Sequence, residues 1–241
     1  MMRIIVADNY KELSRWSAQF VAGLIRGKPN CVLGLPTGST PIGIYSELVQ
    51  LYEQGLDLRY TETFNLDEYV GLPPSHPQSY HSFMQEHLFR HIDHPSSHYH
   101  IPDGMAADLE GECQRYEEMI LAAGGIDLMV LGLGPNGHIG FNEPDSHLGT
   151  KTHVVSLTRE TIQANARFFR EEKEVPRKAI TMGVGSIMQA QEILLVVSGT
   201  GKREMLRQAL FGEVTTRIPA SILQLHPHIV VVTDFSLEPL G

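Results

Sequence analysis

The sequence predicts an α/β fold, a mostly parallel sheet with helices on both faces. Three observations predict it. Short apolar runs alternate with amphipathic ones along the chain, the pattern left by strands joined through crossover helices. Cap and turn residues sit at the joints: Asp8 or Asn9 and Ser79 stand where helices would start, and Gly124–Gly125 where one would end. A chain of 241 residues, 42% hydrophobic, is also long enough to bury a self-sufficient core.

In chain order, RIIVA at 3–7 reads as the first strand, followed by an amphipathic helix over 9–26. CVLGL at 31–35 is a second apolar run, and PTGSTP leads from it into a helix over 41–54 with Pro41 in its first turn. A strand over 61–66 follows, then the Pro-rich loop 71–78, too short to separate domains, and a helix over 79–92 behind Ser79. The helix 109–123 ends at the glycine pair and turns into the strand 126–132. Strands over 154–157, 179–182, 193–198 and 229–233 alternate with helices over 158–169, 202–211 and 220–225. There is no internal repeat, low-complexity tract or clear linker, so a single α/β domain over 1–241 is expected.

The net charge of −9 argues against nonspecific nucleic-acid binding, which needs a basic footprint. A few local cations can still hold an anionic small molecule. Cys31 and Cys113 lie far apart and read as small buried residues of a reducing compartment. No apolar stretch is long enough for a membrane span, and the N-terminus turns polar too soon for a signal peptide, so a cytoplasmic protein is expected.

In parallel sheets, ligands bind beyond the carboxyl ends of the strands, so the loops after the strands are where chemistry is expected. After 31–35, Gly38, Ser39 and Thr40 offer amides and hydroxyls at a helix start, either as an anion site or as a plain Thr40 cap. After 61–66 come Asp67 and Glu68. The strand period sends them to opposite sides, so at most one serves as a base, and a solvated edge is the plain alternative. After 126–132, Gly132, Gly134 and Gly137 spell GxGxxG. No helix opens there and no acid follows at the required distance, which excludes a dinucleotide site. What remains is a glycine-lined loop presenting His138 with Asn136 and Glu143 nearby. A histidine passes protons near neutral pH, and a carboxylate beside it fixes its tautomer. After 193–198, GTGK lacks the rest of a P-loop, but Lys202 is placed to meet a phosphate at a helix start. Arg167 in ANARFF offers a planar fork for phosphate oxygens or a plain surface charge. His91, His94, His98 and His100 lack a known metal pattern and read as surface histidines.

Together, PTGSTP, NLDEYVGL, LGLGPNGHIGFNEP, ANARFF and SGTGK, in this order and at these spacings, closely resemble the glucosamine-6-phosphate deaminase family (the glucosamine/galactosamine-6-phosphate isomerases). The likeness runs from the first strand to the last. A related group of 6-phosphogluconolactonases shares the fold with a weaker motif match. The resemblance implies a Rossmann-like domain that converts glucosamine 6-phosphate and water to fructose 6-phosphate and ammonia, without metal or organic cofactor. It implies that Asp67 moves a proton between C2 and C1, that His138 opens the pyranose ring, and that Glu143 is its acidic partner. Gly38, Ser39, Thr40, Arg167 and Lys202 match the phosphate clamp. Asn136 departs from members that carry aspartate there; an amide orients a histidine but does not balance its cation, which shifts that duty to Glu143. Some members are hexamers activated by N-acetylglucosamine 6-phosphate. The short segment after the last strand favours a small, unregulated form and leaves monomer or homo-oligomer undecided, with a lean to the monomer.

Overall fold

The computed structural model describes residues 2–166 and 169–237. Seven parallel strands form the central sheet: β1 (Met2–Val6), β2 (Val32–Leu35), β3 (Glu62–Asn65), β5 (Tyr99–His100), β6 (Leu128–Leu131), β9 (Glu192–Val197) and β10 (Ile229–Thr233), in the order β1-β10-β9-β6-β2-β3-β5. Strands added beyond β2 run outward through β3 to β5, whereas those beyond β6 run the other way. The crevice therefore opens between β2 and β6, at the carboxyl ends.

Alternation along the strands divides the core. Leu128, Val130, Leu194, Val196, Val230 and Val232 face α1 (Tyr10–Gly27) and α2 (Pro41–Glu53). Met129, Leu131, Ile193, Leu195, Ile229 and Val231 face the other way, toward α4 (Leu109–Ala122) and α7 (Arg203–Phe211). Cys31 and Cys113 are buried free thiols, and burial pushes both up to about 11. No described helix is long and apolar enough to cross a membrane.

Two expected strands depart from this sheet. β7 (His153–Ser156) and β8 (Lys178–Thr181) pair antiparallel with each other, and β8 pairs antiparallel with β4 (Asp67–Tyr69). The pivot is Leu66. Its N–H donates to Leu35 O at 3.2 Å inside the parallel sheet, while its C=O accepts from Met182 N at 2.7 Å at the end of β8. The chain passes from one sheet to the other at that single residue. The expected 79–92 helix also divides. α3 (Tyr80–His87) stops at Leu88, whose backbone (φ −138°, ψ −67°) leaves the helical region, and a 3-10 turn over Phe89–His91 continues. The segment Pro219–Leu225 is a 3-10 helix as well. α5 (Arg159–Ala166) and α6 (Val184–Met188) complete the named helices among the described residues.

Candidate active site

The loops after β2, β3, β6 and β9 converge on one cavity of about 480 Å³, lined among others by Gly38, Ser39, Asp67, Tyr80, His138 and Lys202. Thr40 and Asn136 line it too. Arg167, expected in the phosphate clamp, lies outside the described residues.

On the β2 side, Gly38 has φ +103°, a left-handed conformation that turns the loop toward the cavity. Thr40 is not the plain cap that its position also allowed: its backbone is already helical and its side chain makes no cap bond to α2. The loop is fixed instead from outside. The Tyr10 hydroxyl donates to Ser39 O (3.1 Å) and Thr40 O (3.0 Å) and accepts from Gly43 N at 2.8 Å. The Tyr45 hydroxyl donates to Pro36 O at 2.5 Å. These bonds leave the Gly38–Thr40 turn beside the start of α2, where amides and helix dipole favour an anion.

Across the cavity, Lys202 ends a 3-10 turn over Thr200–Lys202 just before α7, and its Nζ donates to Leu133 O at 2.6 Å. The lysine is half-buried, not the solvated side chain that its sequence position also allowed. The preceding turn is held by Asp234, which accepts from Ser198 Oγ (2.5 Å) and Gly199 N (2.8 Å).

Asp67 and Glu68 are both buried, so neither forms a solvated edge. The strand period separates them as expected. Asp67 lines the cavity. Glu68 points away and accepts from Tyr69 N, Tyr80 N and His81 N at 2.8–2.9 Å, an anion seated on the first turn of α3. Among the described residues no hydrogen bond reaches the Asp67 carboxyl. Burial and then the nearby Glu68 push it up to about 8.

The 138–143 loop folds back on itself beside Asp67. Gly134 must be glycine, because a Cβ there would lie 2.3 Å from the His138 ring. Gly140 has φ +57°, and a Cβ there would come within 2.9 Å of Thr181 Oγ1 and 3.5 Å of Asp67 Oδ2. The loop docks on the small sheet through Phe141 N to Thr181 Oγ1 (3.0 Å) and Asn142 Nδ2 to Met182 O (2.8 Å).

Inside this loop His138 Nδ1–H donates to Asn136 Oδ1 at 2.6 Å, and Asn136 Nδ2 donates to Glu143 Oε2 at 2.7 Å. Glu143 Oε2 also lies 3.4 Å from His138 Nδ1. Nε2 is then the ring nitrogen left for proton transfer. Burial works to raise the Glu143 carboxyl, but His138, Thr161 and Asn136 outweigh it and hold it at about 2. The predicted trio is thus one hydrogen-bonded relay.

Sequence reasoning missed Thr37, Tyr80, Glu160, Thr161 and Asn165, which also line the cavity. Thr37 and Asn165 lie inside PTGSTP and ANARFF without having been singled out, whereas Glu160 and Thr161 sit in a helix start whose amphipathic pattern gave no separate signal. The histidine cluster is corrected in part. His94 is buried with Nε2 on Thr61 O at 2.8 Å, and His100 sits on Glu62 Oε1 at 2.8 Å. No group of three or more potential metal ligands occurs among the described residues.

Residues 7–231 match the family model described as glucosamine-6-phosphate isomerases/6-phosphogluconolactonase. The glucosamine-6-phosphate deaminase of Thermoanaerobacter pseudethanolicus is 54% identical over 234 residues, covering 97% of this chain and 92% of that protein. That of Halothermothrix orenii is 52% identical, covering 97% of each. A solved structure described as a monomeric glucosamine-6-phosphate deaminase superposes with a TM-score of 0.94 at 45% identity, covering 96% of this chain and 97% of the other. The 6-phosphogluconolactonase of Trypanosoma cruzi shares the fold at TM-score 0.78 and 19% identity, over 97% of this chain and 94% of that one.

Proposed function

The chain belongs to the glucosamine-6-phosphate isomerase/6-phosphogluconolactonase family, and from that premise we infer that it is a glucosamine-6-phosphate deaminase. It converts glucosamine 6-phosphate and water to fructose 6-phosphate and ammonia, acting as one α/β domain over residues 1–241. The observation that carries the choice of chemistry is Asp67: a buried carboxyl with no hydrogen-bond partner among the described residues, facing the cavity beside the His138 loop. A carboxylate stripped of water and partners is basic enough to take a proton from carbon, whereas opening a lactone requires no such step.

The substrate phosphate sits between the Gly38–Thr40 turn and Lys202, with Arg167 as the further cation implied by the family likeness. This contact is remote from the reacting carbons and holds C1 and C2 against the proton-handling groups. His138, whose Nδ1 is committed to Asn136, exchanges protons through Nε2 with the ring oxygen and anomeric hydroxyl. The ring opens to the aldehyde, and Glu143 balances the imidazolium formed on the way. Asp67 then removes the C2 proton, which the C1 carbonyl acidifies. Returning that proton to C1 converts the enolamine to a C2 iminium, which water hydrolyses to the ketone and ammonia.

We also place the protein in the cytoplasm as a monomer. Size-exclusion chromatography with light scattering tests the latter. The enzymatic reading is tested by ammonia release from glucosamine 6-phosphate in deuterium oxide, with C2 exchange followed by NMR. Ammonia release with label entering the sugar carries the proposal. Hydrolysis of 6-phosphogluconolactone with neither signal from the amino sugar overturns it.

A further inference from the structure

We propose that Thr161 is a positioning residue for the proton relay: its hydroxyl, carried by α5, holds the Glu143 carboxylate in place beside the His138 imidazole. The proposal rests on the reading of His138 as the ring-opening group and names a residue that acts through it.

The two Glu143 oxygens are divided between different parts of the molecule. Oε2 faces the relay, accepting from Asn136 Nδ2 at 2.7 Å and lying 3.4 Å from His138 Nδ1. Oε1 faces α5, where it accepts a short bond from the Thr161 hydroxyl and a longer one, 3.4 Å, from Thr158 Oγ1. Thr158 Oγ1 also accepts from Thr161 N at 3.2 Å, so the two threonines form one local unit. Thr161 and Glu143 are 6% and 7% exposed, which keeps bulk water from replacing a lost donor.

The chemistry explains why the hydroxyl matters. Asn136 is an amide, so no charge on it balances a protonated His138. That falls to Glu143, which must stay ionised and aimed while most of it is buried. A donor on Oε1 stabilises the ionised form and fixes the rotation of the carboxylate. Packing of α5 alone would need only the shape of the side chain, which valine shares. The same helix lines the substrate cavity through Glu160, Thr161 and Asn165, so one element touches both the cavity and the relay.

The test compares Thr161→Val, which keeps the shape, with Thr161→Ser, which keeps the hydroxyl, and runs His138→Gln beside them. Deamination kinetics on glucosamine 6-phosphate are paired with binding of its acyclic alditol, in which C1 is already reduced and no ring needs opening. The proposal expects Thr161→Val to lose about tenfold or more in kcat, the scale of one hydrogen bond to a charged group. KM and alditol affinity should stay within about twofold, and serine should restore kcat. Thr161→Ala, free of any β-branch, reads the same loss should the valine variant fold poorly. If His138→Gln loses turnover while Thr161→Val and Thr161→Ala keep it, Thr161 has no part in the relay. Equal losses in the serine and valine variants show that keeping the hydroxyl does not keep turnover, and overturn the proposal. Full turnover in His138→Gln rejects the ring-opening reading itself.

Discussion

The central sheet and the small antiparallel sheet meet at one residue, Leu66, and provide the cavity with opposite kinds of groups. The parallel strands end in the open. The loops after β2 and β9 offer a glycine turn, hydroxyls and Lys202, suited to gripping an anion throughout a reaction, whereas the His138 loop after β6 crosses over and docks on the small sheet at Thr181 and Met182. The small sheet begins where the parallel one stops, and its first residue is Asp67, buried in the cavity wall that Tyr80 and Phe141 also line. Burial that would be wasteful for a phosphate-binding group is what makes a carboxylate a base. One edge of the cavity holds, and the other moves protons. Mutations should therefore divide between KM and kcat along that boundary.

The strongest test of the division is Asp67→Asn, expected to cut turnover by about 10³-fold or more while the alditol still binds, since a positioned general base contributes about 10²–10⁴. Stability should move the other way. Asp67 is raised to about 8 in the folded protein against about 3.9 when unfolded. Between those values the folded state holds a proton that the unfolded state has lost. Its stabilising contribution is therefore full below about 4 and disappears as pH rises through 8. The asparagine variant lacks that decline, so its advantage in thermal melts should grow from pH 5 to pH 9. An advantage that stays constant with pH breaks the burial argument.

Next in size is Lys202→Ala, expected to raise KM about 10–100-fold with kcat nearly unchanged, as for a charged contact kept from ground state to transition state. A fall in kcat alone would move Lys202 to the proton-handling side. Third, kcat/KM should climb with pH toward about 8, the free-enzyme value of Asp67. The limb of kcat should lie lower, because the substrate ammonium favours the ionised base. Coincident limbs would show that the amine does not approach Asp67. The smallest effect is Tyr10→Phe, which removes the hydroxyl that ties Ser39 O, Thr40 O and Gly43 N together. It should raise KM about 2–10-fold and spare kcat, the range of one neutral hydrogen bond. A matching loss of kcat would erase the boundary between the two edges.

Much of the site was legible because its residues follow strands directly. Asp67, Gly38–Thr40, the His138 loop and Lys202 all stand in the first residues past an apolar run, and strand alternation alone separated Asp67 from Glu68. The relay was legible through spacing, since Asn136, His138 and Glu143 lie within eight residues of one another. Thr161 was not, because it reaches Glu143 from 18 residues away through the placing of α5. Residues 154–157 and 179–182 read correctly as strands, but their partner sheet did not. Strand type is set by neighbours in the chain, whereas pairing is set by segments far from both.

The local alternation of apolar and polar residues, with glycines and caps between, determined that this chain builds a parallel sheet and presents reactive side chains at its carboxyl edge. Only the tertiary structure decided how hard Asp67 is to ionise, which oxygen of Glu143 faces His138, and that Glu68 caps α3 instead of facing the substrate. Those properties depend on which distant groups exclude water or donate hydrogen bonds at a given atom. Solvent exclusion and bond direction belong to the packed whole and are absent from any short stretch of the chain.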